Sequence, residues 1–402
     1  MHPIKQLGCR AFQLAFRAAL PLLPYRQPKL LNSLLSIPSV LLARKVSSVL
    51  LVCDGGVRDL GLTRPLEDAL DSAAIAFSVY KQRTPNPTID HVEAARRIAL
   101  ASGARAVIAV GGGSAIDCAK VVCARLARPD KPVQKMRGLL RVCRKTPLLI
   151  AVPTTAGTGS EATLSAVITD SRTHHKYPIN DFALIPDYAV LDASLTLGLP
   201  PILTATTGMD ALTHAVEAYI GRSTTAFTRA MAEEAVTLIV QNLVTACEDG
   251  RNIDARRSML RASYCAGLAF TRSYVGYVHG VAHSLGGQYG LAHGLCNAVI
   301  LPHFLRAYGS RCTCKLAELA RIAGVAMPED DDAIASHAFI SWIEGLNRRF
   351  GLPEGFSEIR PADIPVMARR AAAESNPLYP VPKLMDRCEL EAMYALLIAK
   401  EE

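Results

Sequence analysis

Between residues 46 and 192, short apolar runs alternate with segments whose apolar residues recur every three or four positions. The run 46–53, VSSVLLVC, is apolar and β-branched and stops at DGG, which predicts a buried strand. A helical stretch at 64–73 and the short apolar AIAFSVY follow. TIDHVEAARRIALASGA then reads as an amphipathic helix, with Asp90 near its start and Gly103 at its end. RAVIAV (105–110) predicts a second buried strand, closed by GGGS, and AIDCAKVVCARLA a helix. PLLIAVP (147–153) predicts a third strand and YAVLD (188–192) a fourth. Strands alternating with helices imply an α/β domain with a parallel, Rossmann-like sheet, here placed at 46–200. After Pro200 and Pro201 the texture changes. Helical periodicity dominates at 208–220, 225–248, 254–270, 276–286, 313–324, 333–350 and 387–399, so residues 201–402 are expected to form an all-α domain.

Composition adds boundaries rather than detail. Half of the 402 residues are hydrophobic, enough for a large core. The eleven cysteines are scattered without a CxxC pair, which argues against a disulfide framework and for a reducing compartment, the cytoplasm. The net charge of +8 is concentrated at the start. Residues 1–53 carry seven cations (Lys5, Arg10, Arg17, Arg26, Lys29, Arg44, Lys45) and no acid before Asp54. The rest is close to neutral and lacks a basic cluster with interleaved aromatics, which excludes nucleic acid as a partner. Residues 1–45 are read as a basic extension. Its apolar run AALPLLPY is too short to span a bilayer, and Gln13 and Arg17 interrupt a signal-peptide core. The favoured reading is a helix packed through Phe12, Leu14, Phe16 and Leu20, dispensable for chemistry. Contact with an anionic membrane surface and an organellar transit peptide are the alternatives.

Three loops at strand ends suit a dinucleotide. VIAVGGGSAIDCAK runs strand, glycines, helix, so Gly111, Gly112 and Gly113 let backbone approach a phosphate that faces the helix N-terminus at Ser114. Asp54 ends the first strand, where a carboxylate can accept from a ribose hydroxyl and repel a 2′-phosphate. PTTAGTGSEAT (153–163) offers the hydroxyls of Thr154, Thr155, Thr158 and Ser160 beyond the third strand, with two glycines for close approach.

Histidines gather elsewhere. TTGMDALTHAVEAY puts Asp210 and His214 four apart on one helical face, among apolar neighbours. VHGVAHSLGGQYGLAHG places His279, His283 and His293 in a stretch that is otherwise small or apolar. One carboxylate and four imidazoles on buried helices suit a divalent metal such as Fe²⁺ or Zn²⁺. Spacing alone does not decide which histidines bind. His303 and His337 read as ordinary packed or surface residues.

Taken together, GGGSAIDCAK, PTTAGTGSEAT, TTGMDALTHAVEAY and VHGVAHSLGGQYGLAHGLCNAV resemble the iron-containing (group III) alcohol dehydrogenases over about residues 46–399. The resemblance implies an NAD domain followed by a helical metal domain, with metal and nicotinamide in the cleft between them. Matched residue by residue, it makes Asp210, His214, His279 and His293 the metal ligands, and His283 a neighbour of the metal that is not a ligand. It puts the pyrophosphate on Gly111, Gly112, Gly113 and Ser114, the nicotinamide and its ribose near Thr154, Thr155 and Thr158, and Lys176 and Asp54 on the cofactor. Asp117, in the same strand–turn–helix stretch, is counted with them. Only Asn376–Pro377 remains of a C-terminal segment that in the family carries a preceding glycine and can border the substrate.

The implied function is NAD(H)-dependent hydride transfer between a small alcohol and its aldehyde or ketone, by a homo-oligomer, a dimer. A metal polarises the substrate oxygen and the nicotinamide carries the hydride. A free His283 imidazole is expected to pass the alcohol proton toward solvent. The rival readings are a zinc glycerol or polyol dehydrogenase and a lyase like dehydroquinate synthase. The lyase needs cationic anchors for an anionic substrate, yet no lysine lies between Lys176 and Lys315. A purely structural metal would favour a closed, cysteine-rich shell.

Overall fold

The apolar runs become the inner strands of a parallel sheet because both their faces are covered. In the computed structural model, which describes residues 1–82, 84, 86–172 and 175–399, the chain divides into two compact units. Residues 24–199 and 249–267 form an α/β unit; residues 1–23, 200–248 and those from 268 onward form a helical one.

Helix α1 (Pro3–Ala19) opens the helical unit. The α/β unit then runs β1 (Lys29–Leu31), α2 (Ile37–Ala43), β2 (Ser48–Asp54), α3 (Gly55–Asp59), α4 (Arg64–Ser72), β3 (Ala76–Gln82), α5 (Ile89–Ala101) and β4 (Ala106–Gly111). It continues with α6 (Gly113–Ala127), β5 (Gly138–Leu139), β6 (Leu148–Pro153), β7 (Ser165–Asp170), β8 (His175–Asn180) and β9 (Tyr188–Val190). Six strands lie in the order β1-β9-β6-β4-β2-β3, with parallel pairing throughout.

The period-two alternation of side chains sorts these strands into two cores. Leu50, Val52, Val107, Ala109, Leu149 and Ala151 face Val92 and Ala95 of α5 and Ile116 and Ala119 of α6. Val49, Leu51, Cys53, Ile108, Val110, Ile150 and Val152 face Ile37 and Leu41 of α2 and Leu66 and Leu70 of α4. A second, small sheet orders β5-β8-β7, with β7 and β8 antiparallel. The sequence reading passed over it: SAVITD alternates buried and half-buried positions but is short and polar at its ends.

The helical unit continues with α7 (Pro201–Ile220), α8 (Ala226–Glu248), α9 (Ile253–Ser273), α10 (Tyr277–Tyr289), α11 (His293–Tyr308), α12 (Thr313–Ile322), α13 (Asp332–Arg349), α14 (Ile364–Ser375) and α15 (Arg387–Leu396). Residues 253–267 of α9 belong to the α/β unit. Residues 400–402 of the expected helical domain lie outside the described residues. Helices α11 and α14 were not expected. Pro302 lies inside α11 and Pro365 in the first turn of α14, and both break the pattern a reader looks for.

The start of the chain departs from the expectation of one basic extension over 1–45. Residues 24–45 belong to the α/β unit, and in its sheet Lys29, Leu30 and Leu31 pair with Tyr188, Ala189 and Val190. A three-residue edge strand among prolines and cations leaves no periodic signal. Residues 1–23 belong to the helical unit, and α1 packs by a different face from the one expected. Phe16 meets Tyr274 edge-on at 5.1 Å and Leu20 is buried, but Leu14 is 68% exposed and Phe12 42%. The inner face is instead anchored by polar side chains. Gln13 Nε2 donates to the carbonyls of Pro377 (3.1 Å) and Tyr379 (2.8 Å), and Arg10 to those of Val381 (2.7 Å) and Pro382 (2.9 Å).

One buried acid gives this unit a pH dependence. Glu161 is fully buried after β6, and its Oε1 has no hydrogen-bond partner. Burial pushes its carboxyl up to about 7, against the pull of its own backbone N–H and of Lys120. The folded state therefore holds this proton more tightly than the unfolded chain. The stabilisation is complete below about pH 4.5 and is lost as pH rises through about 7. Glu161→Gln should flatten the decline in stability between pH 5 and 7 and exceed the parent by about 2 kcal/mol at pH 8. Denaturant midpoints across that range measure it; parallel curves for the two proteins would refute it.

Candidate active site

Helix α7 starts at the Pro200–Pro201 pair and buries nearly its whole length, Thr204 to Ile220 apart from Thr207. It sets Asp210 and His214 on one face, one turn apart. Helix α10 brings His279 and helix α11 brings His293, the first residue of that helix. Gly294 permits the approach of α11: a Cβ there would lie 2.5 Å from the Thr206 carbonyl oxygen. One ligand atom from each of the four residues lies within 4.8 Å of the others, and three of the four residues are buried. His279 Nε2 and His293 Nε2 stand 3.9 and 3.7 Å from Asp210 Oδ1, and the His214 ring stacks on Phe270 at 4.2 Å.

The donor chemistry fits a divalent transition metal: three imidazole nitrogens and one carboxylate oxygen, out of water. Burial, then the neighbouring His214, His293 and His283, hold the His279 pKa well below its ordinary value. A neutral ring with an available nitrogen lone pair is what a metal requires. Glu217, two turns after Asp210 on α7, sets Oε2 2.6 Å from His279 Nδ1 and accepts the Val278 N–H at Oε1 (2.9 Å). Burial pushes the Glu217 carboxyl up to about 8, against the backbone N–H groups of Gly276, Val278 and His279. Gly276 makes room, since a Cβ there would lie 2.5 Å from Glu217 Oε1. Asn297, one turn beyond His293, donates from Nδ2 to Asp210 Oδ1 at 2.6 Å and lies 3.1 and 3.2 Å from His279 Nε2 and His293 Nε2. His283 stands outside the four, its ring stacked on His293 at 5.1 Å. Its Nδ1 meets Glu374 Oε1 at 2.6 Å, and the Tyr379 hydroxyl donates to the same oxygen at 2.7 Å.

The α/β unit gathers the second set of residues at the carboxyl ends of β2, β4 and β6. Asp54 Oδ2 accepts the Gly112 N–H at 2.8 Å. Burial raises the Asp54 pKa, and that hydrogen bond opposes the rise. A Cβ at Gly111 would collide with the Asp54 carboxylate, and one at Gly113 would lie 2.8 Å from Thr158 Cγ2. At Gly112 the nearest atom to a Cβ is Thr155 Oγ1 at 3.5 Å. Asp54, the three glycines, Thr155 and Thr158 thus share one place, with the N-terminus of α6 behind them. A backbone kept this bare at a helix N-terminus suits a pyrophosphate. Thr154 is buried and its N–H donates to the Gly111 carbonyl at 3.0 Å. Ser114 Oγ accepts the Asn86 N–H (3.3 Å), and Lys176 Nζ donates to Asn86 Oδ1 (2.9 Å), so Lys176 reaches this rim through Asn86. Gly159, at φ +59°, lets the loop after β6 press on α9: a Cβ would lie 2.7 Å from Gly267 Cα.

Two family models match the chain: "Iron-containing alcohol dehydrogenase" over 31–193 and "Fe-containing alcohol dehydrogenase family, C-terminal" over 204–398. The 1-propanol dehydrogenase of Salmonella typhimurium is 39% identical over 334 residues, which is 81% of this chain and 86% of that protein. The chain belongs to the iron-containing alcohol dehydrogenases. Among solved structures, a 1,3-propanediol oxidoreductase superposes with a TM-score of 0.89 at 32% identity, covering 93% of this chain and 99% of that one. The sulfoacetaldehyde reductase of Bifidobacterium kashiwanohense, solved in complex with NAD⁺, gives 0.82 at 29%, covering 94% and 99%. Enzymes of this family use NAD(H) and Fe²⁺ to move hydride between an alcohol carbon and a nicotinamide, and this iron-type alcohol dehydrogenase carries the matching Asp–His₃ cluster.

In this alcohol dehydrogenase one expected cofactor residue has a different occupation. Asp117 Oδ1 accepts from Ser160 Oγ (2.6 Å) and Oδ2 from the Val167 N–H (2.9 Å). Lys120, one turn on, donates to Thr163 O and Oγ1 (both 2.9 Å) and Ser165 O (2.7 Å). Both side chains tie α6 to the loop after β6 and to β7. Glu217, Asn297, Glu374 and Tyr379 escaped the sequence reading. Glu217 and Asn297 carried a signal, since each is a polar residue one turn from a candidate ligand on an apolar helix (His214 and His293). Glu374 meets His283 only through tertiary packing, and Tyr379 acts on it through Glu374.

Proposed function

We propose that this chain is an iron-dependent alcohol dehydrogenase that uses NAD(H) in preference to NADP(H) and interconverts a short primary alcohol with its aldehyde. The carrying observation is Asp54. Its Oδ2 is held by the Gly112 N–H, which leaves Oδ1 and the negative charge at the carboxyl end of β2, where an adenosine ribose would be bound and a 2′-phosphate repelled. The three-carbon alcohols named for the Salmonella relative and the 1,3-propanediol oxidoreductase support the substrate size.

Asp210, His214, His279 and His293 would hold the metal. Gly111, Gly112, Gly113 and Ser114 would take the pyrophosphate, with Thr154, Thr155, Thr158 and Lys176 around the rest of the cofactor. When bound, the metal draws electron density from the substrate oxygen and the nicotinamide accepts or returns the hydride. The chain's own residues do the rest. Glu217 holds the proton of His279 on Nδ1 and so turns Nε2 toward Asp210. Asn297 fixes the Asp210 carboxylate. Glu374, steadied by Tyr379, holds a proton on His283 Nδ1 and leaves Nε2 to take the alcohol proton. Among the described residues none of the eleven cysteines is in a disulfide, which favours a reducing compartment such as the cytoplasm. The outer edge of β1 supports a homodimer, because an end strand offers unpaired backbone groups to a second copy.

The test is steady-state kinetics of the iron-loaded enzyme with propanal. kcat/KM should be at least about tenfold higher with NADH than with NADPH, as expected of a carboxylate facing a 2′-phosphate. Asp54→Asn keeps an acceptor for Gly112 and drops the charge, so it should narrow or abolish that ratio. A parent enzyme that prefers NADPH would overturn the cofactor reading, and no turnover of any short aldehyde would overturn the substrate reading.

A further inference from the structure

Helix α1 shows solvent an apolar face. Five large hydrophobic side chains among the described residues are more than two-thirds exposed, and four of them are Ile4 (75%), Leu7 (72%), Leu14 (68%) and Leu22 (86%). Ile4, Leu7, Ala11, Leu14 and Ala18 follow the spacing of a single helical face, and Leu22, in the turn that continues the helix, extends it. The orientation is fixed by the opposite face, where Arg10 and Gln13 are bonded to four carbonyls. The stripe therefore has no way to roll inward.

Charge decides what this face fits. Lys5 and Arg17 are exposed and lie about 120° to either side of the stripe, at about 100° per residue. No acid occurs before Asp54. The acids that approach α1 from the start of α15 and its cap are paired: Asp386 and Glu389 with the N-terminal ammonium (2.8 and 3.5 Å), and Glu389 with Lys383 (3.4 Å). An apolar stripe flanked by long cationic side chains lies in a lipid interface with its leucines among the acyl chains and its cations at anionic headgroups. A patch this concentrated is a binding surface rather than scatter. We propose that α1 docks the folded enzyme on anionic lipid bilayers, with Ile4, Leu7, Leu14 and Leu22 inserted and Lys5 and Arg17 at the phosphates.

The test is co-sedimentation of the full-length enzyme with vesicles of phosphatidylcholine alone and with one-quarter phosphatidylglycerol. Binding to the anionic vesicles should be at least tenfold tighter and weaken with salt. Leu7→Glu/Leu14→Glu should lose that binding at least tenfold, and Lys5→Gln/Arg17→Gln several-fold. Both should keep the parent Tm and the parent kcat in solution, since every substituted side chain points to water. Equal binding to both vesicle types, no binding to either, or unchanged binding of the leucine variant would overturn the proposal. So would a fall from dimer to monomer in lipid-free sedimentation of the leucine variant, which would assign the stripe to a second copy of the chain.

Discussion

His279→Ala is expected to lose metal and turnover together. The alanine variant should retain less than about a tenth of the parent's iron by elemental analysis, and kcat should fall by about a thousandfold or more. The ligand atoms converge within 4.8 Å, and alanine takes one of the four away. His293→Ala should behave alike. Glu217→Gln keeps all four ligands but weakens the hold on the His279 proton, so metal affinity should fall by about 10- to 100-fold. His283→Ala should keep its metal while kcat drops by about 100-fold and its pH profile changes, because a group that moves a proton is typically worth that much. Metal lost on His283→Ala but kept on His279→Ala would exchange the two roles and sink the assignment.

Removing residues 1–33 should deprive the enzyme of a stable fold, contrary to the expectation that the basic segment is dispensable. The cut takes away the edge strand β1, the Arg26–Asp187 ion pair (2.7 Å) and the bond from Tyr264 to the Pro28 carbonyl (3.1 Å). It also takes away the four α1 bonds to the Pro377–Pro382 segment and the Phe16–Tyr274 contact. At about 1 kcal/mol per bond, with the buried apolar area added, the loss is on the order of 5 kcal/mol or more, a large share of a typical domain's stability. Soluble yield and thermal midpoint are the measurements. A truncated enzyme with the parent's midpoint and kcat would show that these contacts hold nothing together.

The inner strands and most helices were legible because burial on two faces and on one face leave different periods in the sequence. VLLVC and VIAV could hardly be anything but covered strands, and the glycine turn after β4 announced itself. What resisted reading was short or interrupted: β1 with three residues, the β7–β8 hairpin with polar ends, and α11 with Pro302 inside. The four metal-cluster residues were nameable from the resemblance. Which imidazole stands apart depended on α10 and α11 meeting at an angle that spacing does not encode. The partners of Asp117 were not legible, because Ser160 and Val167 come from 43 and 50 residues away. Leu14 misled for a simpler reason. Hydropathy turns a leucine inward, whereas Gln13 has the buried place, because the carbonyls of Pro377 and Tyr379 need a donor more than the core needs another methyl group.

The tie between Gln13 and the Pro377 carbonyl spans 364 residues of chain. At about 5–20 residues per second, α1 leaves the ribosome about 20–70 seconds before its partner segment has been made. Nor can the α/β unit close early, since it includes residues 249–267. For that interval an amphipathic, acid-free helix is presented to the cell with neither face covered. During synthesis its first company is therefore whatever the surroundings supply, a chaperone or a bilayer, and the native contact arrives as the last competitor.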